Sequence, residues 1–246
     1  MKCPKCHAEQ DDANTICDRC GIVFAKFDKH RPRPGEAGRV ARMLSRDRDE
    51  DQALRSLLLP TEVAGDVVVL WARGLLWAIL VLWGLLLILS SVGSNAAGAS
   101  FLHLINLPFH EAGHVFFRPF GQFITSLGGT LGQLLMPAIC LGVLLIKTRD
   151  PFGASVCLWW FGENFLDIAP YMADARAGVM PLVGGGTGQS TPYGFHDWNY
   201  LLTETGLLRW DQALGTLTHL LGSLIMIAAA LWGLALLRRQ SRRLKS

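Results

Sequence analysis

The amino-acid sequence predicts an all-α polytopic membrane protein with about four to five transmembrane helices and a small N-terminal zinc ribbon. Half of the 246 residues are hydrophobic and only 17% are charged, too few charges for an ordinary soluble domain and too many apolar runs for a disordered chain. Charge is concentrated up to about Arg55, and most later residues fall in long apolar blocks divided by short polar breaks. Two CxxC pairs open the chain.

The head comprises residues 1–27. It reads Cys3-Pro4-Lys5-Cys6, ten residues, then Cys17-Asp18-Arg19-Cys20-Gly21. Four thiolates in two knuckles close a tetrahedron round zinc, and Gly21 suits the tight turn that lets backbone amides face the sulfurs. So short a segment cannot bury a core, so the metal is expected to supply most of its folding energy. With four cysteine ligands the site is closed and structural. The head resembles the short zinc ribbons found at the ends of many bacterial proteins. Met1 to Cys20 has no apolar core of the kind a secretory signal needs, which places the head in the cytosol, where paired cysteines act as metal ligands rather than disulfides. Cys140 and Cys157 stand alone in apolar blocks and read as small buried hydrophobes.

Residues 28–66 form a basic juxtamembrane linker. Its Lys29, Arg31, Arg33, Arg39, Arg42, Arg46 and Arg48 suit the anionic headgroups of a cytoplasmic leaflet, the alternative being a solvated connector. The net charge of +3 is small and its cations cluster beside the membrane segments, so nucleic acid is not expected as a partner.

Residues 67–246 form a helical membrane domain. Gly74 to Val92 is a continuous apolar run long enough to cross a bilayer. Further blocks run from Ala99 to Phe117, Phe120 to Ile146, Phe152 to Met172 and Ala213 to Leu237. The polar connection Ala175 to Asp211 holds His196, Asp197 and Trp198. It also holds a Gly-rich stretch, Gly184 to Gly188, that lacks the Gly-Lys-Ser/Thr of a phosphate loop and reads as a flexible loop.

The second block carries His110-Glu111-Ala112-Gly113-His114. Residues four apart share a helix face, so both imidazoles can reach one metal while Glu111 stands beside it, placed to take a proton from water. Ionisable side chains inside an apolar block are expensive and mark a site. His103, seven residues before His110, extends the polar stripe. The competing reading is a set of interhelical hydrogen bonds without metal. Two histidines leave a metal short of ligands, and the fourth block offers Glu163, Asp167 and Asp174 close to one helical face, with Pro170 disturbing the phase.

These residues resemble the site-2 protease family of intramembrane zinc metalloproteases, which carries HExxH in one transmembrane helix and an Asn-Pro-Leu-Asp-Gly type arrangement in a later one. The resemblance covers roughly Ala99 to Met180. It implies zinc held by His110 and His114, Glu111 as general base, and an Asp of the fourth block as third ligand. Asn164, Pro170 and Asp174 follow the family's order, with looser spacing and Ala175 in place of Gly. Asp174 is therefore the expected ligand and Asp167 the alternative. His196 and Asp197 could join the site as ligand, outer partner or proton shuttle, the plainer reading for His196 being a solvated loop residue; His219 reads as an interhelical hydrogen-bonder.

The expected function is zinc-dependent cleavage of a membrane-embedded or membrane-proximal peptide bond in a membrane-protein substrate, with the ribbon as a regulatory or docking head for a cytosolic partner. Alternatives are a non-proteolytic membrane metalloprotein or a membrane-anchored zinc-ribbon adapter. The expected location is a bacterial inner membrane with the ribbon in the cytoplasm. Strict alternation of crossings puts HEAGH, Asp167 and Asp174 toward the cytoplasmic ends of their helices. It also leaves Arg238, Arg239, Arg242, Arg243 and Lys245 outside, against the positive-inside rule, unless the last block fails to cross simply or the third is re-entrant.

Overall fold

The computed structural model describes residues 1–29, 51–59 and 66–245, and the chain divides into two compact units, Met1–Arg55 and Ser56–Ser246. Of the linker expected over 28–66, residues 30–50 and 60–65, and with them Arg31, Arg33, Arg39, Arg42, Arg46 and Arg48, lie outside the described residues.

In the first unit the two CxxC turns repeat one hydrogen-bond pattern. The Cys3 amide donates to Ala8 O and the His7 amide to Cys3 O; the Cys17 amide donates to Ile22 O and the Gly21 amide to Cys17 O, all at 2.9 Å. Isolated bridges Lys2 to Glu9 and Ile16 to Val23 close the turns, and helix α1 (Phe24–Lys29) follows. Gly21 takes a left-handed φ of +69°, as the sequence anticipates, and His7 takes the matching place in the other knuckle at +58°.

Each of the five apolar blocks of the second unit contains a helix: α2 (Val67–Leu89), α3 (Phe101–Phe117), α4 (Gln122–Gly142), α5 (Pro151–Ala173) and, after the short α6 (Asp197–Glu204), α7 (Asp211–Arg243). Among the described residues three stretches are long and apolar enough to cross a membrane: Val67–Leu89, Gln122–Lys147 and Leu208–Arg243. The Asp66 side chain caps α2 through the Val68 amide. Val68, Trp71, Leu75, Leu82, Leu86 and Leu89 then recur at helical spacing as an exposed apolar stripe, a surface that lipid solvates and water does not. Helix α5 has the length but not the composition of the other three, because it is the inner helix. Sixteen of its 23 residues are buried, including Glu163, Asn164 and Asp167, which are sheltered by protein instead of meeting lipid.

Pairwise contacts fix the directions of the helices. Between α2 and α7, Arg73 donates to Gln240 (3.3 Å), Trp77 Nε1 to Ala230 O (2.8 Å), and His219 Nε2 lies 3.2 Å from Ile88 O, so the two are antiparallel. Between α5 and α7, Gly162 meets Gly222 and Ala173 meets Gly215, again antiparallel. Gln133 pairs with Asn164, and Leu144 abuts Gly153, so the chain of α4 runs against α5. In turn Gly113 abuts Gly128 and the Phe109 carbonyl abuts Gly132, so α3 runs against α4; small residues at this seam let the two backbones close up.

Hence α2, α3 and α5 run in one sense and α4 and α7 in the other. This corrects the alternation expected from sequence, in which the second block returns. Residues 90–100, rich in Ser, Gly and Ala, fold back within the bundle through a 3₁₀ turn (Val92–Ser94) and a left-handed Asn95, and bury Ala97 against the core around Trp159 and Leu166. The C-terminal end of α7 therefore lies where α2 and α5 begin, beside the Arg73 to Asp150 ion pair (3.1 Å).

Candidate metal centres

In the ribbon, Cys3 Sγ lies 3.6 Å from Cys20 Sγ, Cys6 Sγ lies 3.6 Å from Cys17 Sγ, and all four sulfurs are within 4.8 Å of one another with no disulfide between them. A zinc tetrahedron with Zn–S of about 2.3 Å has edges of about 3.8 Å, so the sulfur set fits that ion. Its electrostatics call for a cation. Burial pushes the Cys17 thiol up, but the amides of Cys20 and Arg19 and the neighbouring sulfurs outweigh it and bring Cys17 down to about 6. The Ile22 amide pulls Cys20 down, but burial and the crowding of Cys17, Cys6 and Cys3 push it up to about 12. One thiolate forms readily and the last does not, until a positive ion sits among them.

The second centre lies where α3 and α5 end and α4 begins. His110 and His114 project from one face of α3, with ring centroids 4.8 Å apart. Each Nδ1 is engaged: that of His110 donates to Gln133 Oε1 (2.7 Å), and that of His114 donates to the Thr125 carbonyl (2.8 Å). This fixes the tautomer and leaves both Nε2 atoms as ligand lone pairs. Gln133 is itself held by Asn164, which donates to the Trp160 carbonyl (3.0 Å).

The carboxylate that meets the pair is Asp197. Its Oδ2 is 3.3 Å from His110 Nε2 and 3.3 Å from His114 Nε2. Ligands at about 2.0–2.1 Å round a tetrahedral zinc stand about 3.3–3.4 Å apart, so these are the edges of such a site. Burial raises the Asp197 carboxyl, but the two histidines that face its Oδ2 outweigh it and hold it below the usual range, in the anionic form a metal takes. Gly129 supplies the room: a Cβ there would press on His110 Nε2 and stand 2.6 Å from His114 Nε2, in the space between the donors. His110, Glu111 and His114 present ligand atoms within 4.8 Å of one another, and Glu111 is exposed to the site.

Asp174 and Asp167, the expected third ligand and its alternative, are both engaged with other partners. Asp174 ends α5, accepts from the Val179 and Met180 amides (3.1 and 2.9 Å), and stands 3.4 Å from His196 Nε2. Pro170 does not break α5, but Asp174 lies one residue past its end, turned into the following loop. Asp167 pairs with His103 Nδ1 (2.8 Å) and, with Glu163, accepts from the two N–H bonds of the buried Asn106 amide (3.0 Å each).

His196 is buried rather than solvated. It stacks on Tyr171 (4.3 Å between centroids), and its Nδ1 accepts the Asn199 amide as the cap of α6. Burial pushes its imidazole down, against the opposing pull of Asp174. Tyr171 completes the support: its hydroxyl accepts from the Asp197 amide (3.0 Å) and donates to Asp197 Oδ2 (3.4 Å). His219 makes the interhelical contact with Ile88 given above, and of the lone cysteines Cys157 is buried and Cys140 half-buried.

A cavity of about 720 Å³ opens on this centre, lined by His103, His110, Glu111, His114, Asp167, Tyr171 and Asp197 and by the segment Met180 to Gly185. Asn106 and Asn164 are buried and do not line it. The Gly-rich stretch is a small hairpin rather than a loose loop. Pro181 bridges Thr187, the Leu182 amide donates to Gly186 O (3.0 Å), and the Thr187 amide donates to Ser190 Oγ (2.7 Å).

Sequence reasoning missed Gln133 and Thr125. Gln133, an amide in the middle of an apolar block, carried a readable signal; Thr125 acts through its backbone and carried none.

No protein-family model, curated protein or solved structure matches the chain. Fold and sites together define an all-helical protein with helices able to span a membrane and two groups of side chains able to hold a metal ion.

Proposed function

We propose that this chain is a zinc-dependent integral membrane peptidase of the site-2 protease kind, with His110, His114 and Asp197 as the ligands of the membrane-domain zinc and Cys3, Cys6, Cys17 and Cys20 as those of a structural zinc. The observation that carries the reading is the convergence of Asp197 Oδ2 on both Nε2 atoms at 3.3 Å, with Glu111 beside them at the wall of a large cavity. Three protein ligands with an open fourth position are the pattern of a catalytic zinc.

When bound, zinc supplies a Lewis acid that polarises the scissile carbonyl and acidifies water. Glu111 takes the proton of the attacking water and hands it to the departing amine. Gln133 and the Thr125 carbonyl keep the two imidazoles in the ligating tautomer. The cavity accepts an extended segment, which suits a substrate helix that has unwound locally, since a helical peptide bond is shielded by its own hydrogen bonds. Helices α3 and α5 complete the membrane domain beside the three apolar spans, and the ribbon serves as a docking head for a cytosolic partner.

Two measurements test the reading. Detergent-purified wild type should hold two zinc ions per chain and the His110→Ala/His114→Ala variant one. In proteoliposomes containing single-span membrane peptides, wild type should release fragments detectable by mass spectrometry, and Glu111→Gln should release none while keeping both ions. Cleavage by Glu111→Gln equal to wild type sinks the mechanism. Two zinc ions without fragments favour a non-proteolytic metalloprotein.

A further inference from the structure

The directions of the helices place the metal centre at one end of the bundle and most of its cations at the other. His114 lies in the last turn of α3, Thr125 in the first turn of α4, Tyr171 in the last turn of α5, and Asp197 opens α6 in the connection to α7. The connections at this end carry three basic residues, Arg118, Arg176 and Arg209. Arg176 is neutralised by Asp211 (2.8 Å), and Asp174, Asp197 and Glu204 are further anions there.

At the opposite end stand Lys147 and Arg149 in the α4 to α5 connection and Arg238, Arg239, Arg242, Arg243 and Lys245 at the end of α7. Arg239 donates to the Leu59 carbonyl (2.9 Å) and Arg73 to Gln240 (3.3 Å), so this tail lies beside the start of α2. The basic run Lys29 to Arg48 precedes α2 in the sequence. Short connections rich in Lys and Arg stay in the cytoplasm, and Asp and Glu count little in that rule. By that rule the basic end is cytoplasmic, with α2 and α7 both ending their polar flanks there.

We propose that the metal centre opens to the extracytoplasmic side of the membrane, and that its substrates are polypeptide segments leaving the bilayer on that side. The substrate half of this rests on the peptidase reading; the orientation does not. The cavity rim suits such segments. Its hairpin and the neighbouring loop expose Val183 and Phe195 (64% and 66%) at the end of the bundle where α3 and α5 terminate, apolar surface that a chain emerging from lipid can share.

Single cysteines report the orientation without any need for activity. Val183→Cys and Thr203→Cys mark the site end and Leu244→Cys the basic end, all exposed positions, each compared with the parent full-length chain, whose native thiols set the background. In intact cells a membrane-impermeant maleimide should label the first two at least fivefold above the parent, and Leu244→Cys only after permeabilisation. Thr203, on the outer turn of α6, decides the matter if lipid covers Val183. Labelling of Thr203→Cys only after permeabilisation, or equal labelling of Thr203→Cys and Leu244→Cys in intact cells, overturns the proposal. Failure of the peptidase reading shows separately, as absence of fragments from a correctly oriented protein.

Discussion

Tyr171 and Asp197 are bonded to each other twice: the tyrosine hydroxyl accepts from the Asp197 amide at 3.0 Å and donates to its Oδ2 at 3.4 Å. The same oxygen faces both histidines, so the hydroxyl sets the position of that oxygen against the two Nε2 atoms. Outer partners of this kind change metal affinity about 10–100-fold. Tyr171→Phe, which keeps the ring on His196, should weaken membrane-domain zinc by about tenfold in a chelator competition while ribbon zinc is unchanged.

Asp197 and Asp174 make opposite predictions. Asp197→Asn removes the anionic donor and should reduce zinc from two ions to one. Asp174→Asn disturbs the turn at Val179 and Met180 and should leave two. Loss of zinc from Asp174→Asn with retention by Asp197→Asn would return the third ligand to α5.

Gly129→Ala places a methyl group between the two Nε2 atoms. Membrane-domain zinc should be lost, while helical circular dichroism and ribbon zinc persist, because the change adds a good helix former to α4.

Asn106 bonds to Glu163, Asp167 and Trp160 Nε1 at once and is 1% exposed. Asn106→Leu leaves the buried Glu163 carboxyl and the Trp160 indole without that partner and Asp167 with His103 alone, a loss of about 3 kcal/mol. Thermal unfolding in detergent should show a fall of several degrees; an unchanged midpoint refutes the estimate.

Ribbon zinc should follow pH with a definite sign. Metal must displace the proton that Cys20 otherwise keeps up to about 12, so affinity rises with pH. As pH falls below about 6, Cys17, brought down to that value, also takes up a proton and the ion is released. Dialysis of the His110→Ala/His114→Ala chain at pH 8 and pH 5 should give about one zinc and near zero.

Much of this was legible in the sequence because it rests on local spacing. Cys3, Cys6, Cys17 and Cys20 and the His110 to His114 interval are set by a turn and by 3.6 residues per helical repeat, and the apolar blocks locate the five long helices. Helix direction was not legible, since it depends on residues 90–100 folding back, which no periodicity encodes. Asp197 was seen but ranked below Asp174, because a loop residue has no helical phase by which to place it. Its position depends on Tyr171 and on the α6 cap at His196, contacts that form only once distant segments have met.

His110 and Asp197 are 87 positions apart in the chain. An ion shared between them would be a cross-link, tying the segment that follows α5 to the end of α3 much as a disulfide would. Without it, residues 175–196 are still held by the Tyr171 stack, the Asn199 to Ala175 bond, Asp174 with Val179, Met180 and His196, the Arg176 to Asp211 pair and the hairpin's own hydrogen bonds. Removal of metal is then a mechanical event. It should free one wall of the cavity first, so that limited proteolysis of the chelated protein nicks the chain there before any helix is cut.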